Sequence, residues 1–432
     1  MKDLFGSFLA AGGIQIANFA TGILAARILL PEGRGELTIL LLWPMLVADL
    51  GSLSLTTSTS FHVARKDHSA REIFAGTTLV LTLLWPILIG VFLLASPYIY
   101  ADQRSEVLRM AVICAALIPV YLYVMSMLAM FQGDQKYGIC NILRAFVHLG
   151  YLAIAVLLLL LSGPSLSSFI YAYLAAHVAI LGVAAFYVQK SGWASVRTSV
   201  STIKSLVGYG LRAHVALVLQ IANRRLDQLI LSVALAASDL GLYVVAMTIE
   251  GPLFLAVTTM EMLLFPKIAQ QLQEGGRQAV LGRYFRAALL IVIPATVIFI
   301  AIAPWLIGTV FGSAYLPAVD AARILALSGI AYTLKVMLTT YMRASNRMRI
   351  VAQSEGVGIF VTIIALAVLV PLFGLIGAAI AQVVAFTIPA LFMAFLINRE
   401  TGLSIVGLFR FERRDWDVFG ELKTRFRRKE AE

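Results

Sequence analysis

Polar residues punctuate this chain at regular intervals, and between them it is almost continuously apolar. A helix needs roughly 20 mainly apolar residues to cross a bilayer. Twelve windows supply them: 8–30, 37–61, 73–96, 107–131, 139–161, 165–188, 206–234, 240–265, 283–304, 321–342, 350–372 and 375–397. Open strands would leave backbone groups unsatisfied in hydrocarbon. The pattern therefore predicts an all-α polytopic membrane protein of about twelve transmembrane helices.

The longest polar stretch between windows runs from Gln189 to Lys204. It predicts an N-terminal six-helix lobe over 1–189, a cytoplasmic linker over 190–205, a C-terminal six-helix lobe over 206–397 and a basic cytoplasmic tail over 398–432. Short echoes link the halves. Arg34-Gly35-Glu36-Leu37 matches Leu240-Gly241-Leu242-Tyr243, and Gly133-Asp134-Gln135-Lys136 corresponds to Ala344-Ser345-Asn346-Arg347. With an even number of spans per lobe, the pseudo-two-fold axis should run along the membrane normal, with a cavity between lobes that rock against each other.

Composition agrees. The chain is 60% hydrophobic and 13% charged, with a mean hydropathy of +0.89. A soluble domain carries about a quarter charged residues, so lipid must be the main solvent. The formal charge of +11 is a topology signal, and nucleic acid is not an expected partner. Basic residues crowd the segments around Arg65, Lys66, Arg71, Lys190, Lys204, Lys267, Arg277, Arg343, Arg347 and the tail, against Arg34, Arg104, Arg109 and Arg323 on the other side. The positive-inside bias puts both termini in the cytoplasm. The N-terminal helix, which lacks a small-residue cleavage site, is expected to be retained. Cys114 and Cys140 are expected to pack structurally.

Several short segments, taken in order, carry a family likeness. They are Ala25-Ala26-Arg27, Leu30-Pro31 and Arg34-Gly35; then Tyr209-Gly210, Asn223-Arg224-Arg225-Leu226-Asp227, Gly241-Leu242-Tyr243 and Leu264-Phe265-Pro266; and finally Pro371 to Ala379. Together, over roughly residues 6–397, the chain resembles the polysaccharide (lipid-linked oligosaccharide) flippases of the multidrug/oligosaccharidyl-lipid/polysaccharide exporter superfamily. Asn18 and Thr21 stand where a symmetric first lobe would repeat Arg224 and Asp227, so the polar centre is lopsided.

Charges inside a span cost about 2.5–3.5 kcal/mol each and usually face a bundle interior or a wet cavity. Arg27, Arg144, Arg212, Arg224, Arg225 and Lys335 fall inside windows, as do Asp49, Asp227, Glu250, Glu261 and Glu355. On a helical wheel Arg212, Gln220, Asn223, Arg224 and Asp227 lie within an arc of about 120°. This stripe reads either as an anion site, Arg offering a planar fork to a pyrophosphate, or as an Arg–Asp pair pinning the helix. Arg144 and His148, one turn apart, read as cavity-lining, or Arg144 snorkels toward the cytoplasmic end. Lys335, deeper in its span, reads as a cavity or ion-pair residue. The candidate substrate-binding set is thus Arg224, Arg144, Lys335, Arg212, Asn223 and His148. The candidate ion-coupling acids are Glu250, beside the helix-bending Gly251-Pro252, with Asp49 and Asp227; each could instead only neutralise a neighbouring Arg.

No metal-ligand spacing appears among His62, His68, His148, His177 and His214, and no phosphate loop or nucleophile motif appears. No metal, cofactor or enzymatic activity is expected. The tail, with Phe409, Phe411, Trp416, Phe419 and Phe426 among basic residues, reads as a membrane-surface segment or a solvated tail. The expected function is flipping of a polyprenyl-pyrophosphate-linked oligosaccharide to the outer leaflet by a monomer in a bacterial inner membrane, with H+ or Na+ coupling and the lipid as its other partner. The rivals are a cation-coupled multidrug exporter and a membrane glycosyltransferase or polymerase.

Overall fold

A computed structural model describes residues 2–410 except 102, 249 and 272; the side chains of 2–11, 216, 220, 222–224 and 406 lie outside the description, as do residues 411–432. The described residues form helices α1 (Lys2–Gly51), α2 (Leu55–Arg65), α3 (Ala70–Ile99), α4 (Ser105–Cys114), α5 (Leu117–Gly133), α6 (Tyr137–Ser162), α7 (Leu166–Lys190), α8 (Val200–Ala234), α9 (Ala237–Met247), α10 (Glu250–Ala269), α11 (Glu274–Val310), α12 (Val319–Ala344), α13 (Met348–Thr401) and α14 (Ile405–Leu408). A 3-10 turn, Ser313–Ala318, precedes α12.

These helices carry all twelve apolar windows. Helix α1 folds back at Leu30, whose φ of 58° and ψ of 178° leave the helical region. Pro31 follows, and the ring of a proline bars its predecessor from helical dihedrals. Helix α13 breaks in the same way at Gly374, where φ is 54°. Nine helical segments among the described residues are long and apolar enough to cross a membrane, α1 and α13 each holding two crossings. Helix α8 supplies the remaining crossing despite its charges. The chain is an all-α, multi-pass membrane protein.

Local chemistry ends the helices where the polar punctuation stands. Ser69 caps α3 by accepting from the Glu72 backbone N–H at 3.2 Å, the first half of a capping box. Ser165 caps α7 in the same manner. The bend expected from Gly251-Pro252 lies slightly earlier: α9 stops at Met247 and α10 starts at Glu250. Pro252 thus sits in a first turn, where its missing N–H costs nothing.

By packing, the chain divides into unit 1 (residues 1–222 and 236–241) and unit 2 (223–235 and 242–432). In unit 1, α2 is zipped to the first half of α8. The Ser58 hydroxyl donates to the Leu206 carbonyl at 2.7 Å, Ser54 Oγ lies 3.3 Å from His214 Nδ1, and Phe61 stacks on Tyr209 at 4.1 Å. Gly210 permits this approach, since a Cβ there would lie 2.5 Å from the Leu53 carbonyl oxygen. The start of α9 packs against the α1 fold-back just as tightly: a Cβ on Gly35 would meet the Ala237 carbonyl oxygen at 1.8 Å, and one on Gly241 the Pro31 carbonyl oxygen at 1.9 Å. These glycines occupy matching places in the sequence echo. Lipid does not drive helices together as water does, so small residues that let backbones touch carry such contacts.

In unit 2, α10 to α13 bury a core that includes Val257, Leu264, Phe285, Met337, Tyr341 and Met393. Leu403 and Leu408 join that core, and Phe409 meets Phe285 edge to face. The start of the basic tail is therefore docked. Phe411, Trp416, Phe419 and Phe426 lie outside the described residues. Both cysteines are free and buried. Large apolar side chains lie exposed on the helices, Leu94 at 77% and Phe360 at 70%, as a lipid-facing surface requires.

Candidate functional site

The second crossing is broken in mid-span. Helix α1 ends at Gly51 and α2 resumes at Leu55, with Leu53 (φ 50°) and Ser54 (φ 54°) left-handed. Such conformations cost of order 1 kcal/mol or more per non-glycine residue and persist where surroundings enforce them. The Ser52 hydroxyl donates to the Asp49 carbonyl at 2.8 Å, satisfying one acceptor that the break releases. Irregular backbone at membrane depth is tolerated where it lines a cavity, and here it does.

A cavity of about 530 Å³ opens beside the break, lined by Asp49, Ser52, Thr56, Thr57 and Ser60, by Tyr121, Gln132 and Arg144, and by Phe61 and Tyr209. Tyr121 donates its hydroxyl to Asp49 Oδ1 at 3.0 Å. Arg144 sits on α6, exposed to the cavity. The wall combines one carboxylate, one guanidinium, several hydroxyls and a stacked aromatic pair. Of the residues expected to bind or couple, Arg144 and Asp49 share this cavity. His148, one turn from Arg144, is half-buried and is not among the lining residues, and neither is Arg212, which is exposed on α8. The hydroxyl lining and Tyr121 were not foreseen. The run Ser52 to Ser60 is the one signal that could have suggested them, being too polar for a lipid-facing crossing.

In unit 2, Asp227, Glu250 and Lys335 each have a hydrogen-bond partner. Asp227 is buried and accepts from the Tyr243 hydroxyl at 3.4 Å. Glu250 is buried and accepts from the Ser328 hydroxyl at 2.7 Å. Lys335 is bonded to Glu355 at 3.1 Å and lies over the Phe386 ring at 5.8 Å. Glu261 approaches Arg343 at 3.7 Å. The expected stripe on the seventh crossing is not uniform in its surroundings: Arg212 is exposed and Asp227 buried. The side chains of Gln220, Asn223 and Arg224 lie outside the described residues.

Among the described residues, charged clusters also lie outside the spans. Arg104 grips the buried Glu36 with two hydrogen bonds, at 2.9 and 2.7 Å. The hydrogen bond and charge of Glu36 raise its pKa above the ordinary arginine value. At the α2–α3 turn, the ligand atoms of His62, Asp67 and His68 all lie within 4.8 Å of one another. Burial pushes the Asp67 carboxyl up, but the His62 hydrogen bond and the charges of His62 and His68 outweigh it, leaving it below the ordinary value. This cluster was invisible to linear spacing, because His62 ends a helix and the other two lie beyond a left-handed turn at Lys66.

The folded-back crossings, the broken second span and the polar cavity characterise a helical multi-pass membrane fold. Solved structures share that fold. A lipid II flippase, MurJ, in an inward closed conformation superposes with a TM-score of 0.77 over 96% of this chain and 95% of that one, at 13% identity. An inward-facing multidrug resistance MATE-family transporter of the MOP superfamily gives 0.71 over 89% and 94%, also at 13%. In sequence, residues 24–320 match the family described as "Polysaccharide biosynthesis protein", and the chain belongs to that family. A probable low-salt glycan biosynthesis flippase of Haloferax volcanii is 23% identical over 285 residues, 65% of this chain. The match spans 58% of that relative's length.

Proposed function

We propose that this protein flips a polyprenyl-pyrophosphate-linked oligosaccharide from the cytoplasmic to the outer leaflet of a bacterial inner membrane, with both termini cytoplasmic and no chemistry performed on the cargo. The observation that carries the reading is the hydroxyl-rich cavity of unit 1 with Arg144 on its wall. Its volume falls in the range of small-molecule sites. Arg144 would take the pyrophosphate with its planar fork. Thr56, Thr57, Ser60 and Gln132 would exchange hydrogen bonds with sugar hydroxyls, and Phe61 and Tyr209 would face the sugar rings. The lipid tail stays in the bilayer. Asp49, held by Tyr121, and the buried acids Asp227 and Glu250 are the ion-coupling groups, for H+ or Na+. Lys335 serves as an ion-pair residue, because Glu355 already occupies it. Arg224 and Asn223 remain candidates for the head group, and alternating access is the proposed cycle.

The test is movement of a polyprenyl-pyrophosphate oligosaccharide in proteoliposomes, scored by accessibility to an external lectin. Arg144→Ala should abolish transport and Arg144→Lys should retain part of it. Full transport by Arg144→Ala at matched protein level would overturn the assignment. One observation favours a rival: Asp49 in the same cavity suits a cationic drug. A multidrug exporter would instead keep extruding cationic dyes in Arg144→Ala and lose that activity in Asp49→Asn.

A further inference from the structure

We propose that His62, Asp67 and His68 form a binding site for a divalent cation of the zinc class, fastening the α2–α3 turn to the first turns of α8. The surroundings of His62 fix its tautomer. Its Nε2 lies 3.3 Å from the Ser205 carbonyl oxygen, which can only accept, so Nε2 carries the proton. Nδ1 then faces both Asp67 carboxylate oxygens, at 3.1 and 3.0 Å. A lone pair aimed at a carboxylate is repulsive unless a positive charge stands between them. That charge is either a second proton or a metal ion.

Three features select the metal. First, a tetrahedral zinc ion with bonds of about 2.0–2.1 Å holds its ligand atoms roughly 3.3 Å apart, close to the 3.0–3.1 Å between His62 and Asp67. Second, a third ligand is at hand, the His68 ligand atom lying within 4.8 Å of the other two. His68 lies in the turn between α2 and α3, and metal binding would draw its ring toward the other two ligands. Two imidazoles and a carboxylate suit zinc over calcium or magnesium, which take oxygen ligands. Third, both rings have a further hydrogen-bond partner on α8, as metal-binding histidines generally have a second partner. Ser205 holds His62, and the Thr202 hydroxyl lies 3.2 Å from His68 Nδ1.

Access is open. Asp67 and His68 line a cavity of about 490 Å³ with Lys66, Glu72 and Asp134. Its carboxylates outnumber its lysine, and it has room for the fourth ligand, a water. Because Thr202 and Ser205 belong to α8, an ion here would clamp that helix to the turn. Nothing in this site depends on the nature of the transported cargo.

The experiment uses the untagged full-length chain in detergent, stripped with a chelator and titrated with Co²⁺ and then Zn²⁺. We expect one Co²⁺ per chain with the visible absorption of a tetrahedral site, displaced by Zn²⁺, and a Zn²⁺-dependent rise in melting temperature. His68→Ala and Asp67→Asn, both in the surface turn, should each weaken Zn²⁺ binding at least ~100-fold. Thr202→Val, which removes the hydroxyl beside His68 together with its bond to Ser199 Oγ, should weaken it roughly 10-fold. Absence of saturable binding would leave an imidazolium–carboxylate pair in its place and overturn the proposal. So would binding that survives intact in the His68→Ala/Asp67→Asn double variant, which would move the ion elsewhere.

Discussion

Removing the Lys335–Glu355 pair one partner at a time separates helix pinning from substrate binding. At an effective dielectric of about 20, unit charges at the observed 3.1 Å attract by roughly 5 kcal/mol. Desolvation offsets much of that, so the net worth of the pair is small, while the cost of stranding one partner is not. The Lys335 side chain is 14% exposed and that of Glu355 28%. Single removals should therefore cost about 2–3 kcal/mol, below the 3–5 kcal/mol of a fully buried pair. Glu355→Gln should be the worse of the two, because it strands the less exposed charge. The double variant Lys335→Met/Glu355→Gln leaves no orphan and should recover to within about 1 kcal/mol of wild type, a coupling of about 3 kcal/mol. Unfolding in mixed detergent–SDS micelles gives the stabilities, and lectin-scored proteoliposomes give transport on the same preparations. If the pair pins α12 to α13, transport should track stability and return in the double variant. Strictly additive destabilisation would refute the pairing energetics. A stable double variant that transports nothing would refute the structural assignment and return Lys335 to the substrate.

Three further outcomes test the frame. Gly210→Ala should push α8 off the break in the second crossing, at an overpacking cost of about 1–3 kcal/mol, read as a lower melting temperature in detergent. Gly35→Ala and Gly241→Ala should be at least as damaging, since their added Cβ atoms would lie under 2 Å from backbone oxygens; wild-type melting in either would contradict the close packing. Tyr121→Phe removes a hydrogen bond to a carboxylate, worth about 1.5–3 kcal/mol; with Asp49→Asn it should blunt the response of transport to an imposed H+ or Na+ gradient, and an unchanged gradient response would remove Asp49 from the coupling set.

The crossings were legible in sequence because a bilayer imposes one strong rule. Every span must be apolar for about 20 residues and satisfy its own backbone as a helix. All twelve windows therefore fall on helices, and the fold-backs at Leu30-Pro31 and Gly374 coincide with their polar or proline breaks. The family likeness was legible for the same reason, its Gly and Pro positions marking backbone turns. Gly35 and Gly241, paired on paper as a repeat, turn out to lie against each other's segments.

The candidate site was legible only in part. Hydropathy marks an internal charge as costly and so flags Asp49, Arg144, Asp227, Glu250 and Lys335, but it cannot say which charges meet. Asp49 and Arg144 share a cavity because the second crossing breaks after Gly51 and the side chains of α2, α5 and α6 converge there. Lys335 meets Glu355, twenty residues away on the next helix, a pairing that hydropathy does not reveal. The metal-competent cluster escaped notice because ligand spacing in sequence presumes a single helix or strand, whereas Lys66 turns the chain left-handed and brings His68 back toward His62. Hydropathy is a local property and sequence carries it in full; which polar groups face one another depends on breaks, turns and packing, and only tertiary structure decides it.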